Sequence, residues 1–512
     1  MKILFATSEA LPLIKTGGLA DVSGSLPPAL RALGAEVRLI LPAYRGMAMA
    51  ADAREVVSAF PVEEHDMEVR LLEGHLGESG IPVWLVDAPS LFDRPGGPYA
   101  DPKGRDWPDN AGRFALFARA ICAVALDHAW LDWKPDVVHT NDWQTGLVPA
   151  LLAGADQRPA TLFTIHNLAY QGLFPGETFT QLHLPAELWS PNGLEFYGRL
   201  SFIKGGLAFA DRLTTVSPTY AREICTPEYG YGLEGLLQYR SHVLHGVLNG
   251  VDYSVWSPEN DPFIRRRYTP RNVVIGKPDN KRALQERFGL PLRREPPLIG
   301  MVSRLVSQKG IDLVLEALPG LLELGIQLVV VGTGERRFEE ALREAAAAHP
   351  RQVAVHIGYD EALAHQVEAG ADMFLMPSRF EPCGMNQMYS LRYGTVPIVR
   401  QTGGLADTVV DTNPETVRDG SATGFLFRPS TAQALRITVQ RAVEWFGRRS
   451  AWRAVMRAGM RQDFSWERSA RTYLKLYRLA MEDRNRKRDP LRWQAAAEGN
   501  SLSDPRHADT HS

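Results

Sequence analysis

The stretch MKILFATSEALPLIKTGGLADVSGSLPPALRALGAEVRLILP, residues 1–42, decides the fold. KILFAT (2–7) is a short apolar run, Leu19 to Leu33 places apolar residues at helical spacing, and EVRLILP (36–42) resumes the apolar run after Gly34. Strand, glycine loop, helix, strand is the unit from which parallel sheets are built. The alternation recurs at DVVHTND (136–142), ATLFTIHN (160–167) and RLTTVS (212–217), so a doubly wound sheet is expected to fill the first half.

After LNGVDYSVWSP (248–258) the chain turns polar and rich in Pro and Arg from Glu259 to Asn280, and PPLIGMVSRL (296–305) makes a fresh start. Strand-like runs follow at IQLVVVG (326–332), VAVHIG (353–358), MFLMPS (373–378) and VPIVRQ (396–401). The expected fold is α/β, with two Rossmann-like, doubly wound parallel-sheet domains at 1–250 and 251–468. A helix over 469–484 is expected to pack back on the N-terminal domain. EDRNRKRDP (482–490) and EGNSLSDPRHADTHS (498–512) are polar and nearly free of large apolar side chains, so residues 485–512 are expected to form a disordered tail.

At 512 residues, more than one domain is expected. The 57 basic and 59 acidic side chains give a formal net charge of −2, which offers no whole-protein attraction to nucleic acid or an anionic membrane. Only Cys122, Cys225 and Cys383 are present, an odd and sparse set that suits a reducing compartment. Thr7, Ser8 and Glu9 interrupt the first apolar run before a signal-peptide core could form, and no later run reaches the roughly 18 apolar residues of a membrane span. A soluble cytoplasmic protein is expected.

Four constellations carry the chemistry. In KTGGLAD (15–21) the pair Gly17-Gly18 between strand and helix lets backbone N–H groups and the helix dipole face an anion, with Lys15 adding a mobile charge and Asp21 supporting the loop. A bare glycine pair is usually only a tight turn; Lys15, Thr16 and Asp21 favour function. In SRLVSQKG (303–310), Arg304 and Lys309 follow an apolar strand, where two cations could converge on a diphosphate and on the charge that develops as it departs. In RFEPCGMNQ (379–387), Glu381 can accept sugar hydroxyls or simply complement a helix dipole; spacing alone leaves both open. HTNDW (139–143) and TIHN (164–167) place Asp142, His166 and Asn167 at strand ends, which together with Asn249 suit a hydroxyl-rich ligand.

VVVGTGERRF has Arg337 where a dinucleotide fingerprint needs its third glycine, no Walker sequence occurs, and no Asp-x-Asp pair offers ligands for a metal on a nucleotide diphosphate. His242 and His245 lack a clear third ligand. The string TGGLAD recurs at 402–407, preceded by Gln401 in place of Lys15.

KTGGLADVSGSLP, HTNDWQTGL, IHNLAYQG, NGVDYSVWSP, SRLVSQKG and SRFEPCGMNQMYSLRYGTVPIVRQTGGLADTV stand in the order seen in bacterial glycogen synthases and plant starch synthases, which the chain resembles over about residues 1–480. The resemblance implies a GT-B fold, two domains facing across a cleft that closes to expel water. It implies a retaining glucosyltransferase that moves glucose from ADP-glucose to the non-reducing end of an α-1,4-glucan such as glycogen, without cofactor or metal. Lys15, His166, Arg304, Lys309 and Glu381 then become the expected catalytic residues. Gly17, Gly18, Asp142, Asn167, Asn249, Tyr359, Cys383, Gly384, Thr402 and Gly403 become donor-binding, with Tyr359 near the adenine. Two departures stand out: Tyr389 occupies the place of a second glutamate common in the wider superfamily, and Met385 and Asn386 replace the Leu and Thr of many bacterial relatives. Two rival readings are a glucan hydrolase using Asp142 and Glu381 and a catalytically silent glucan-binding protein; neither explains the pair Arg304 and Lys309.

Overall fold

Strand Lys2–Ala6 lies inside a nine-stranded sheet whose order runs Leu244–Gly246, Arg212–Thr215, Ala160–Ile165, Val137–Asn141, Lys2–Ala6, Glu36–Pro42, Ile81–Asp87, Val69–Leu76, Arg54–Phe60. The computed structural model describes residues 1–60, 62 and 69–488. Lys2–Ala6 pairs in parallel with both Glu36–Pro42 and Val137–Asn141. The chain therefore builds outward on one side of Lys2–Ala6 and later returns to the other, making a topological switch point there. Ile3, Leu4, Phe5 and Ala6 are wholly buried, as a parallel strand covered on both faces requires.

This sheet is not parallel throughout. Val69–Leu76 pairs antiparallel with Ile81–Asp87 and with Arg54–Phe60. The sequence gives little sign of the edge strand Arg54–Phe60, because most of its residues are exposed. A second small sheet joins Leu173–Pro175, Arg199–Ser201 and Glu195–Phe196 in antiparallel fashion.

The six-stranded sheet of the second half runs Val353–Ile357, Gln327–Gly332, Leu298–Val302, Met373–Met376, Val396–Arg400, Phe425–Phe427, with parallel pairing. Numbered along the chain this is 3-2-1-4-5-6, the order of a dinucleotide-binding sheet, with its switch point between Leu298–Val302 and Met373–Met376. Successive residues feed opposite cores: Ile299, Leu328 and Leu375 belong to one, Leu298, Val329 and Phe374 to the other. That two-sided burial is why these strands read as unbroken apolar runs.

Two units emerge. One comprises Met1–Thr214, Ile224–His245 and the chain from Ala470; the other comprises Thr215–Glu223 and Gly246–Ser469. Asn249 thus groups with the second unit, although a boundary at 250 would put it in the first. The polar stretch 259–280 is not merely a connector. Helix Val273–Arg287 starts inside it, because Lys281 pairs with Asp372 at 2.6 Å and the buried Lys277 ammonium donates to the Glu368 and Ala369 carbonyls and to Thr395 Oγ1. The last helix, Trp466–Arg488, is longer than 469–484: residues 485–488, expected in a tail, are helical. The rest of that expectation, 489–512, lies outside the described residues.

Candidate functional site

Two loops leave the switch point of the second sheet, and one cavity of about 220 Å³ lies against both. Arg304 and Lys309 line it from the loop after Leu298–Val302; Ser378, Glu381, Gly384 and Asn386 line it from the loop after Met373–Met376. The loops are tied together. Gly310 sits at φ +72, where a Cβ would stand 2.3 Å from the Pro377 carbonyl oxygen. Arg379 N–H donates to Gln308 O at 2.8 Å, and its guanidinium grips Asp312 at 2.7 and 2.6 Å and Ser307 O at 2.8 Å.

That frame sets Lys309 Nζ 2.5 Å from Glu381 Oε2, which also accepts from Ser378 Oγ at 3.0 Å. The Lys309 and Glu381 side chains are 18% and 9% exposed, so this is a mostly desolvated ion pair, unlike a surface one. Arg304 is exposed at the cavity wall and makes no ion pair among the described residues. Sequence spacing pairs Arg304 with Lys309; the structure pairs Lys309 with Glu381 and leaves Arg304 open to an incoming anion. Asn386 Nδ2 donates to Val302 O at 2.8 Å, bracing the cavity wall.

Cys383 is buried, with the Asn249 backbone N–H directed at its sulfur, and burial pushes its thiol up to about 12. It stays a thiol at neutral pH and is no nucleophile. Thr402, 1% exposed, and Gly403 serve the same loop from behind. Gly404 N–H donates to the Glu381 carbonyl at 3.1 Å, while Thr402 Oγ1 and Gly403 N–H are held by the Glu223 carboxylate at 2.9 and 3.1 Å. Tyr359, 79% exposed, stands beyond Val353–Ile357 at the same edge of the sheet and does not line the cavity.

In the first unit, a carboxylate already fills the turn expected to meet an anion. Glu9 Oε2 accepts from the N–H groups of Thr16 at 2.5 Å and Gly17 at 3.1 Å, and Oε1 accepts from Thr16 Oγ1 at 2.5 Å and Tyr99 OH at 2.6 Å. Lys15 Nζ meets Asp21 at 2.8 Å, with both side chains substantially exposed. Gly17 and Gly18 have open space where a Cβ would stand, so this face of the loop is free to be approached. Glu9 and Tyr99 were not found from sequence, because their partners lie 7, 8 and 90 residues away; Glu223 escaped for the same reason.

Asp142 ends strand Val137–Asn141 at φ 56, ψ −178, a region nearly reserved for glycine. Its carboxylate accepts the His166 N–H at 2.7 Å, yet burial raises it to about 7. His166 is pushed the other way, to about 3, so its ring is neutral. The tautomer follows from neighbours: Asn141 Nδ2 donates to Ala6 O at 3.0 Å, turning Asn141 Oδ1 towards His166 Nε2 at 2.9 Å. Nε2 therefore carries the proton, and Nδ1 is left as an acceptor for a hydroxyl. Asn167 shapes the next turn, accepting Ala169 N–H at 3.1 Å. Among the described residues no three His, Cys, Asp or Glu side chains group as metal ligands.

The starch synthase catalytic domain family model matches residues 2–239, and the glycosyl transferases group 1 model matches residues 283–454. Glycogen synthase 1 of Methylococcus capsulatus is 53% identical over 508 residues, covering 99% of this chain and 100% of that one. A glycogen synthase of Thioalkalivibrio sulfidiphilus is 56% identical over 480 residues, covering 93% and 99%. Among solved structures, the catalytic domain of starch synthase IV from Arabidopsis thaliana, bound to ADP and acarbose, superposes with a TM-score of 0.82 at 33% identity, covering 94% of this chain and 99% of that one. The expected GT-B fold class is the one these matches carry.

Proposed function

Because this chain belongs to the glycogen and starch synthase family, we propose that it transfers glucose from ADP-glucose to the non-reducing end of an α-1,4-glucan, elongating glycogen. The observation that carries the reading is the cavity at the second switch point, where Arg304 is open to an anion and the Lys309–Glu381 pair is mostly buried. In that cavity Arg304 and Lys309 take the diphosphate and stabilise the charge that builds on ADP as the glycosidic bond breaks. Glu381, fixed by Lys309 and Ser378, accepts hydroxyls of the donor sugar. Met385 and Asn386 line the same wall.

In the first unit, His166 offers Nδ1 to a hydroxyl, and Lys15 and the open face of Gly17-Gly18 contribute cation and backbone. We take the transfer to retain configuration and to need no metal, the departing phosphate receiving the acceptor's proton. No helix among the described residues is long and apolar enough to cross a membrane, and the cytoplasm is the compartment we propose.

Incubation with glycogen and labelled ADP-glucose or UDP-glucose tests this. Label should enter polymer from ADP-glucose, and Arg304→Ala, Lys309→Ala and Glu381→Gln should each lower kcat/KM strongly. No incorporation from either donor rejects the reading. A loss of less than threefold in the two cation variants, below about 0.7 kcal/mol, rejects their assignment.

A further inference from the structure

A second cavity, of about 560 Å³, opens at the far end of the six-stranded sheet, beside its edge strand Phe425–Phe427 and helix Ala432–Gly447. Its size falls within the roughly 300–1,000 Å³ of small-molecule sites. Gln401 and Arg428, on its wall, follow the C-terminal ends of two neighbouring parallel strands, the edge at which such sheets hold ligands. It shares no lining residue with the cavity at Arg304 and Lys309.

The walls are apolar and the polar groups few. Leu426, Phe427, Pro429 and Ile437 face the cavity, and Ile437 is 51% exposed. Asp411 reaches it already neutralised: Arg441 grips the carboxylate at 2.8 and 2.7 Å, and the Leu426 N–H donates to it at 2.8 Å. Arg428 has no such counter-charge. Its Nε donates to Gln401 Oε1 at 2.8 Å, while its two terminal nitrogens make no hydrogen bond or ion pair among the described residues. Thr438 lines the cavity one helical turn after Ala434 and is only 5% exposed, yet its hydroxyl also has no partner among the described residues. Buried polar side chains are nearly always hydrogen-bonded, and an exception facing a cavity marks where a ligand or water would bond.

These groups select a class of ligand. The paired terminal donors of a guanidinium match a carboxylate or sulfonate, and the walls match an apolar body. A nucleoside diphosphate calls for more than one cation or a cradle of backbone N–H groups. A glucan calls for more hydroxyl partners than Gln401, Arg428 and Thr438 supply.

The cavity also bears on the Glu381 loop. Arg400 donates from Nε to the Arg428 carbonyl at 3.2 Å and from Nη1 to the carbonyl of Arg379, two residues before Glu381. Directly after Gln401, Gly403 is wedged so closely behind that loop that a Cβ would stand 1.9 Å from the Glu381 carbonyl oxygen. An anion that draws the Arg428 guanidinium off Gln401 acts on the segment 400–403 against which the loop rests.

We propose that this cavity is a second ligand site, for a small anion with an apolar body, and that its occupancy slows transfer by loosening the Glu381 loop. The coupling rests on the reading that Glu381 serves glucose transfer; the site itself does not.

Anilinonaphthalene sulfonate, an apolar ring system carrying one anion, is the probe, used with the full folded chain. Fluorescence titration should show a site that ADP does not compete for. Arg428→Ala should weaken binding at least about tenfold and Arg428→Lys, which keeps the charge, less. Ala434→Trp, which fills the cavity, should abolish binding. Thr438→Val keeps the shape of the wall and should weaken binding about threefold or more, a second check where the tryptophan variant fails to fold. Saturating probe should lower kcat/KM for ADP-glucose at least about threefold in the parent and leave Ala434→Trp unaffected. Binding indifferent to these substitutions, competition by ADP, or unchanged kinetics at saturation overturns the proposal. Substitution-sensitive binding without glucose transfer from any nucleotide sugar leaves the ligand site standing and removes the synthase reading.

Discussion

Asp142 is kept at a cost. Its backbone sits where glycine is preferred, and its carboxylate, raised from 3.8 to about 7 by burial, would be more stable neutral. The folded state holds this proton longer than the unfolded chain does. Its contribution to stability is therefore fully present below about pH 4, is lost as pH rises towards 7, and is flat above. Taken at face value the displacement is worth about 4 kcal/mol. The residue remains partly accessible, and solvent screening reduces the expected change to about 1–2 kcal/mol. Urea titrations at pH 4.5 and 7.5 should show Asp142→Asn losing less stability than the parent over that interval, while its glucosyl transfer falls. A parallel pH dependence in both proteins would show that Asp142 ionises freely. Residues of this kind were legible in sequence as types at strand ends, since Asp142, His166, Arg304, Lys309 and Glu381 all follow recognisable apolar runs. Their electrostatic states were not, because desolvation and the Asn141 amide that sets the His166 tautomer are properties of the packed chain.

The two TGGLAD strings show how far an element can be read from its residues. In each, a threonine and the next glycine give their N–H or hydroxyl groups to a buried or partly buried glutamate: Glu9 for Thr16 and Gly17, Glu223 for Thr402 and Gly403. The common sequence thus encodes a common carboxylate-clamped start to a helix. The surroundings then divide the two. Gly17 has φ −152 and nothing within 4 Å of its Cβ position; Gly403 has φ +44 and a Cβ position 1.9 Å from the Glu381 carbonyl oxygen. Gly17→Ala should accordingly fold with a melting temperature within a few degrees of the parent. Gly403→Ala should lose about 3 kcal/mol or more, through αL strain and displacement of the Glu381 loop, and most of its activity with it. Equal melting temperatures would contradict the close approach. The glycine pair was visible in sequence as a turn; which copy faces open space and which is wedged behind the Glu381 loop depends on packing against residues outside the string.

At the scale of the whole molecule, the chain does not deal its units out in order. Thr215–Glu223 belongs with the second unit, Ile224–His245 with the first, and the last helix changes allegiance at Ala470. A linear boundary could not have anticipated this, since Ser217, Thr219 and Glu223 earn their place only through Pro382, Asp407 and Thr402. Within the first unit the last helix completes the sheet. Tyr477, wholly buried, meets His139 Nδ1 at 2.8 Å; His139 Nε2 meets Thr164 Oγ1 at 2.7 Å, and Thr164 meets Thr214 at 2.5 Å. This polar line crosses three neighbouring strands inside an apolar core, where every member must stay partnered. Arg212 and Asp483, 2.5 Å apart, add an ion pair near the helix's end. Tyr477→Phe leaves a buried imidazole nitrogen unpaired and should cost about 1–2 kcal/mol. Tyr477→Ala also opens a cavity and should cost about 3–5 kcal/mol. Followed by urea unfolding, the two variants should fall in that order, and removal of the chain from Ala470 onward should leave the first unit unable to fold. A truncated protein that retained a cooperative transition for both units would show that the last helix merely decorates the first sheet.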